Sequence, residues 1–204
     1  SPVFFRNQPL GCTATIIYQM YQEAGIKVEP KIAGLLCSAI VSDTLLFRSP
    51  TCTPVDEMAA RALADIAGID IEKYAMEMFS AGSNLKDKSD EEIFYQDFKK
   101  FELNKANFGV GQINSMNPEE LKEMKKRLLP YMEKALGSHG ESMLFFMLTD
   151  ILEESTMLLC VGPDALPKVA EYSGCPVQGN VVMMEGVVSR KKQVVPTLMQ
   201  AFQS

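Results

Sequence analysis

Apolar residues recur at helical spacing through most of the first 82 residues of the chain. This spacing predicts four helices after a short opening strand at residues 3–5. The predicted helices cover residues 13–23, 30–47, 54–68 and 70–80. The second of these is apolar on nearly every face, so we expect it to be buried.

Strand and helix patterns alternate after residue 89, and the polar stretch 83–89 has the composition of a linker. The predicted strands cover residues 100–103, 107–114, 143–148, 156–161 and 180–188. The predicted helices cover residues 90–96, 117–136, 164–172 and 191–202, with a possible disturbance of the second at Pro130. Strands that alternate with helices predict an α/β domain, with a mixed sheet flanked by helices. We therefore place a domain boundary between residues 1–82 and 83–204.

Composition and charge narrow the class of protein. The 204 residues are 47% hydrophobic and carry a formal net charge of −6, with a pI near 5.0. This balance is typical of a globular protein and argues against a nucleic-acid partner. No apolar run reaches the roughly 18–20 residues that a membrane span needs, so no membrane association is expected.

The cysteine and histidine content argues against zinc binding and points to a reducing compartment. No two of the five cysteines form a CxxC pair, and the one histidine, His139, lies in a predicted surface turn. Most cysteines have apolar neighbours, which indicates reduced, packed thiols and a cytoplasmic location.

Asp43 is the first residue that could carry chemistry. It is a carboxylate within the apolar second helix, and burying a lone charge is costly unless it is paired or bound to a metal. Two interpretations stay open at this point. Asp43 either binds a metal ion, or it caps the helix or pairs with a basic side chain such as Arg48.

A cationic string, Ser189-Arg190-Lys191-Lys192, stands between the last predicted strand and the last helix. Cations are disfavoured at a helix N-terminus, and a bound anion would offset that cost. Free amides at the helix start, together with Arg190 and Lys191, would suit a phosphate group. The alternative is a solvated basic patch. Lys99 is a weaker candidate, because paired lysines at a strand start are common.

Five strings in this chain closely resemble the family II, manganese-dependent inorganic pyrophosphatases. They are PLGCTATI (9–16), IAGLL (32–36), SDTLLFRSPTCT (42–53), DFKKF (97–101) and GVVSRKKQVVP (186–196). The match keeps the family's order and spacing and covers essentially the whole chain. The resemblance implies that residues 1–82 are the helical C-terminal remainder of a DHH domain. Residues 83–204 would then form an α/β DHHA2 domain that closes over the metals.

The resemblance also implies a reaction, the hydrolysis of pyrophosphate to two phosphates. Asp43 matches the family's last metal-ligating aspartate, and Lys99, Arg190 and Lys191 match the residues that grip the pyrophosphate oxygens. The implied cofactor is Mn²⁺, with Co²⁺ or Mg²⁺ as alternatives. Family members often form homodimers through the first domain.

The chain departs from the family pattern in its metal ligands. The family's other ligands lie in a His-x-x-x-Asp-x-Asp motif, a lone aspartate and an Asp-His-His motif, and none of these is present. We therefore expect a C-terminal fragment with an incomplete metal site and no activity of its own. Two other readings remain open: an exopolyphosphatase-like phosphohydrolase and a non-catalytic anion-binding module.

Overall fold

The computed structural model of the chain describes residues 2–82, 85, 87–103, 106–138 and 140–202. The chain divides into two compact units, Ser1–Met78 and Phe79–Ser204. The assignment of 1–82 and 83–204 to two domains stays a prediction. Parts of the predicted linker (residues 83, 84 and 86) lie outside the described residues. His139, predicted in a surface turn, lies outside them as well.

Helices form the first unit, as predicted. They are α1 (Thr13–Glu23), α2 (Pro30–Thr44), α3 (Pro54–Ala67) and the start of α4 (Ile71–Gly82). Thr53 caps α3 in a capping box with Asp56, and Pro54 occupies the first helical position. The predicted strand at residues 3–5 is wrong. These residues are extended but exposed, and a strand needs a hydrogen-bonded neighbour, which no described part of the chain supplies.

The end of α2 differs from its prediction. The helix stops at Thr44 rather than near residue 47, because Leu45, Leu46 and Phe47 have positive φ angles of 50°, 49° and 69°. Left-handed backbone costs a non-glycine residue about 1–2 kcal/mol. The turn persists because its amides are bonded, with Leu46 N donating to Val41 O at 2.9 Å, and because both leucines are buried.

A mixed sheet forms the centre of the second unit, as predicted. Its six described strands are β1 (Phe98–Leu103), β2 (Ala106–Ser115), β3 (Met143–Asp150), β4 (Ser155–Val161), β5 (Val177–Gln178) and β6 (Val181–Glu185). Their spatial order is β1-β2-β3-β4-β6-β5. Strands β2 and β3 pair in parallel, and the other neighbouring described strands pair antiparallel. A parallel pair needs a crossover connection, which helix α6 (Pro118–Ala135) provides.

Helices cover both faces of this sheet. Strand β3 is buried along its whole length, because Leu144 and Phe146 enter one apolar cluster while Phe145 and Met147 enter the other. Helix α5 (Asp90–Gln96) and α6 pack on the first cluster, and α7 (Ala165–Ser173) and α8 (Val195–Phe202) pack on the second. Pro130 lies within α6 without ending it.

The region between β4 and the last helix is more broken than predicted. The predicted strand 180–188 is the short β6, preceded by β5, and residues 186–189 form a loop. The predicted helix 191–202 begins as a π-helical turn, Arg190–Val194, which continues into α8. π-helical turns are frequent at functional sites.

Replacing Gly162 by alanine should lower the free energy of unfolding by about 2 kcal/mol or more. Its φ is +126°, and a Cβ would lie 2.6 Å from Ser142 O, a backbone atom that cannot move aside easily. Gly174→Ala is the matched control, since Gly174 also has positive φ (+67°) but nothing lies within 4 Å of its Cβ position. Urea unfolding of both variants would test this. Equal losses would contradict a steric role for Gly162.

Candidate functional site

Asp43 lies one residue before the C-terminal end of α2, and it is exposed rather than buried. The expectation of a buried carboxylate is therefore wrong. The physical reason is its place in the last helical turn, next to the left-handed turn that ends α2. A carboxylate at this end of a helix faces the negative pole of the helix dipole. A bound cation would offset that unfavourable interaction.

Cys12 is a described residue whose thiol pKa is affected by the Asp43 carboxylate. It is the buried N-cap of α1, and its Sγ accepts a hydrogen bond from Ala14 N at 3.4 Å. Burial raises the pKa of the Cys12 thiol to about 12, and a hydrogen bond to the Asp43 carboxylate contributes in the same direction. Cys12 is therefore a neutral thiol at physiological pH, and its S–H group can donate a hydrogen bond to the Asp43 carboxylate.

Asp56 anchors the N-terminus of α1 to that of α3. It is fully buried and accepts hydrogen bonds from Gly11 N (2.9 Å), Cys12 N (3.3 Å), Thr15 Oγ1 (2.6 Å), Thr53 N (2.9 Å) and Thr53 Oγ1 (2.7 Å). Burial alone would raise the pKa of Asp56, but the bonds from Thr15, Thr53 and Gly11 outweigh it and lower the pKa. Sequence reasoning missed this anchoring role of Asp56.

The described residues do not assemble a metal site by themselves. Nowhere in the described ranges do three His, Cys, Asp or Glu side chains lie close enough together to hold a metal ion. A divalent metal needs four to six ligands. Asp43 can therefore contribute one carboxylate to such a site, and its remaining ligands would have to come from elsewhere.

Arg190 begins the π-helical turn and is nearly buried, with 9% of its side chain exposed. Its Nη1 donates to Asp97 O at 2.6 Å and to Val110 O at 3.2 Å, and its Nη2 donates to Asp97 Oδ1 at 2.7 Å. Asp97 immediately precedes β1, and Val110 pairs across the ladder with Lys99. These bonds bring Arg190 to the start of β1, where its partner Asp97 lies two residues before Lys99 in the chain.

The two lysines at the start of β1 have different environments. Lys99 and Lys100 point to opposite faces of the strand, and both are exposed. Lys100 Nζ is 2.6 Å from Oε1 of Glu141, a buried carboxylate. Because Lys100 already forms this ion pair, Lys99 is the better candidate to bind an external anion. Lys191, the residue after Arg190, is also exposed.

Gln193 holds the loop that leads into the cationic string. Its Oε1 accepts hydrogen bonds from Val188 N at 3.0 Å and Ser189 N at 2.9 Å, and its Nε2 donates to Gly186 O at 2.7 Å. Lys192 N donates to Ser189 Oγ at 3.3 Å. Lys192 N, one of the helix-start amides expected to be free for a phosphate, thus has a protein acceptor.

A chain of buried hydroxyls anchors the same loop to the sheet. Thr156 in β4 donates to Val187 O at 2.6 Å, and its Oγ1 lies 2.9 Å from that of Thr149 in β3. Both threonines are fully buried. The loop that leads into the cationic string is therefore held by hydrogen bonds from the sheet as well as by Gln193.

Three of the four predicted site residues lie in the second unit. Arg190 donates to Val110, the ladder partner of Lys99, and Lys191 follows Arg190 in the π-helical turn. Asp43 belongs to the first unit. Sequence reasoning missed Asp97, which pairs with Arg190. An aspartate beside two lysines gave no local signal of a partner 93 residues away.

Comparison with known proteins identifies the family to which the chain belongs. The DHHA2 domain family matches residues 76–201. A crystal structure of a Methanococcus jannaschii protein, assigned to the family II inorganic pyrophosphatases, superposes with a TM-score of 0.82. The two are 38% identical, and the match covers 100% of this chain and 69% of the other. The chain belongs to the DHHA2 domain family and, within it, to the family II inorganic pyrophosphatases.

Two curated clostridial relatives are more similar in sequence. The Clostridium acetobutylicum protein, named "Probable manganese-dependent inorganic pyrophosphatase", is 46% identical over 99% of this chain and 65% of its own length. The "Cobalt-dependent inorganic pyrophosphatase" of Clostridium perfringens is 47% identical over 98% of this chain and 36% of its own length. The chain thus spans about two thirds or less of the length of these relatives.

Proposed function

We propose that this chain is the C-terminal part of a metal-dependent inorganic pyrophosphatase, which hydrolyses pyrophosphate to two phosphates. The observation that carries the proposal is the placement of Arg190 at the start of β1. There it is bonded to Asp97, which lies two residues before Lys99 in the chain, and it is followed by the exposed Lys191. The names of the relatives, which cover essentially the whole chain, give independent support.

In this proposal the three cations bind and orient the phosphoryl oxygens of the substrate. Arg190 is held by three hydrogen bonds, so it can present a fixed edge to a phosphate, while Lys99 and Lys191 supply point charges. Preorganised cations stabilise the charge that develops on the phosphates in the transition state, and they need little reorganisation to do so.

Asp43 supplies one carboxylate ligand to the metal centre in the same proposal. The relatives named manganese-dependent and cobalt-dependent support Mn²⁺, with Co²⁺ as an alternative. When bound, such a metal lowers the pKa of a coordinated water and so supplies hydroxide near neutral pH. The described residues offer too few ligands to hold that metal alone.

Two further properties belong to the proposal. None of the five cysteines, all of them among the described residues, forms a disulfide, which suits a cytoplasmic protein. A homodimer of the complete enzyme is proposed by analogy with the family.

Within the described part of the chain, no helix combines the length and the apolar character that a membrane crossing requires.

Phosphate release from pyrophosphate, with Mn²⁺ or Co²⁺ present, tests the proposal. We expect no turnover by the 204-residue chain, and turnover by a longer protein that carries the upstream segment of its gene. Tripolyphosphate and longer polyphosphates are the comparison substrates. Faster hydrolysis of the longer substrates than of pyrophosphate would contradict the proposal and would indicate an exopolyphosphatase. Binding of pyrophosphate without turnover by either protein would favour a non-catalytic anion-binding module.

A further inference from the structure

Asp97 is the described carboxylate that holds a cation of the proposed phosphate site. We infer that Asp97 is a positioning residue, which fixes the Arg190 guanidinium so that one of its edges is presented to a phosphoryl group. The inference rests on the proposed function of the cationic residues. It adds a residue that acts through Arg190 and need not touch the substrate.

The hydrogen bonds of Arg190 define which edge is presented. The guanidinium has five N–H groups. Nη1 donates to the carbonyls of Asp97 and Val110, and Nη2 donates to the Asp97 carboxylate. Because Nη1 and Nη2 both donate to Asp97, the inference assigns these bonds to the end of the fork and assigns the Nε–Nη2 edge to the phosphoryl group. That edge is a bidentate donor pair of the kind that matches phosphate oxygens.

The carboxylate of Asp97 has a function that the two carbonyls cannot supply. Arg190 is nearly buried, and a buried charge is costly without a partner of opposite sign. Asp97 compensates this charge while remaining 42% exposed itself. It also ties the guanidinium to the residue that immediately precedes β1, the strand that carries Lys99.

Binding of inorganic pyrophosphate to the 204-residue chain, measured by titration calorimetry in metal-free buffer, tests this inference. Asp97→Ala should weaken binding about tenfold, because it removes one charge-assisted hydrogen bond and frees the guanidinium to rotate. Asp97→Asn keeps an acceptor oxygen for Nη2 but loses the compensating charge, so its affinity should lie between those of the native chain and Asp97→Ala. If Asp97→Ala does not fold, Asp97→Glu replaces it. Its carboxylate is displaced by one methylene, and binding should weaken at least about threefold.

Asp90→Ala is the matched control. Asp90 forms a similar ion pair with Arg127 at 2.8 Å, in the same unit but away from the cationic residues. Its loss should lower the melting temperature and leave pyrophosphate affinity unchanged, which separates positioning from stability. Unchanged or tighter binding by Asp97→Ala would overturn the inference, as would a native chain that binds no pyrophosphate. If a longer protein showed no turnover but Asp97→Ala still bound pyrophosphate more weakly than the native chain, the proposed function would be refuted and the inference about Asp97 would stand.

Discussion

Replacing Lys191 by alanine should lower pyrophosphate turnover by about 10²-fold or more in a longer protein that contains this chain. The expectation follows from the position of Lys191 in the π-helical turn, exposed and directly after Arg190. Removing one preorganised donor from developing oxyanion charge typically costs about 10²–10³ in kcat. Steady-state kinetics with pyrophosphate, at saturating metal, would measure the loss.

Lys192 provides the matched control for this substitution. It is the next residue of the same turn, it is also exposed, and it carries the same charge. We expect Lys192→Ala to change turnover far less than Lys191→Ala. Because both side chains are exposed, neither substitution should change the unfolding temperature appreciably. Equal effects of the two substitutions would mean that only the local net charge matters, and Lys191 would lose its assigned role.

Replacing Asp56 by alanine should lower the stability of the first unit by about 3 kcal/mol or more. Asp56 is fully buried, and its loss leaves the amide donors of Gly11, Cys12 and Thr53 without their acceptor. Hydrogen exchange of the α1 and α3 amides, followed by mass spectrometry, would report the loss within this unit. Asp65→Ala, an exposed change in the same helix, should stay within about 0.5 kcal/mol of the native chain.

The lowered pKa of Asp56 gives this effect a pH dependence. The folded chain holds the pKa below the ordinary value of 3.8, so the unfolded chain binds the proton more readily. The stabilising contribution is complete above that value and declines as the pH falls through the folded pKa. Protection of α1 and α3 should therefore decrease below about pH 4 in the native chain. Asp56→Asn should show a flatter profile, and an identical acid response would exclude Asp56 as its source.

Much of the fold could be predicted because local signals are strong here. The predicted start of α3 at residue 54, the predicted range of α1 and the mixed sheet were all confirmed. Capping residues and apolar periodicity act over a few residues, so they can be read directly from the chain. Pro130 was less decisive, because packing of α6 on the sheet outweighs the local cost of proline within a helix.

The remaining features depend on contacts that sequence spacing does not reveal. Residues 3–5 have the composition of a strand but lack a partner among the described residues. Leu45–Phe47 adopt left-handed backbone because burial and local hydrogen bonds favour it over their intrinsic preference. The cationic residues could be named from the sequence by resemblance. Their support by Asp97, Gln193 and Thr156 comes from tertiary contacts.

The contact between Arg190 and Asp97 also has a consequence for the order of folding. The two residues are 93 positions apart, so their meeting closes a long loop at an entropic cost. The hairpins β1–β2 and β3–β4 are local, whereas Arg190 must reach β1 and β2 from a segment that follows β6. Local contacts form more readily than such distant ones. The contact between Arg190 and Asp97, and with it the proposed anion site, should therefore be among the last features to form, so a partly folded chain should not yet bind phosphates there.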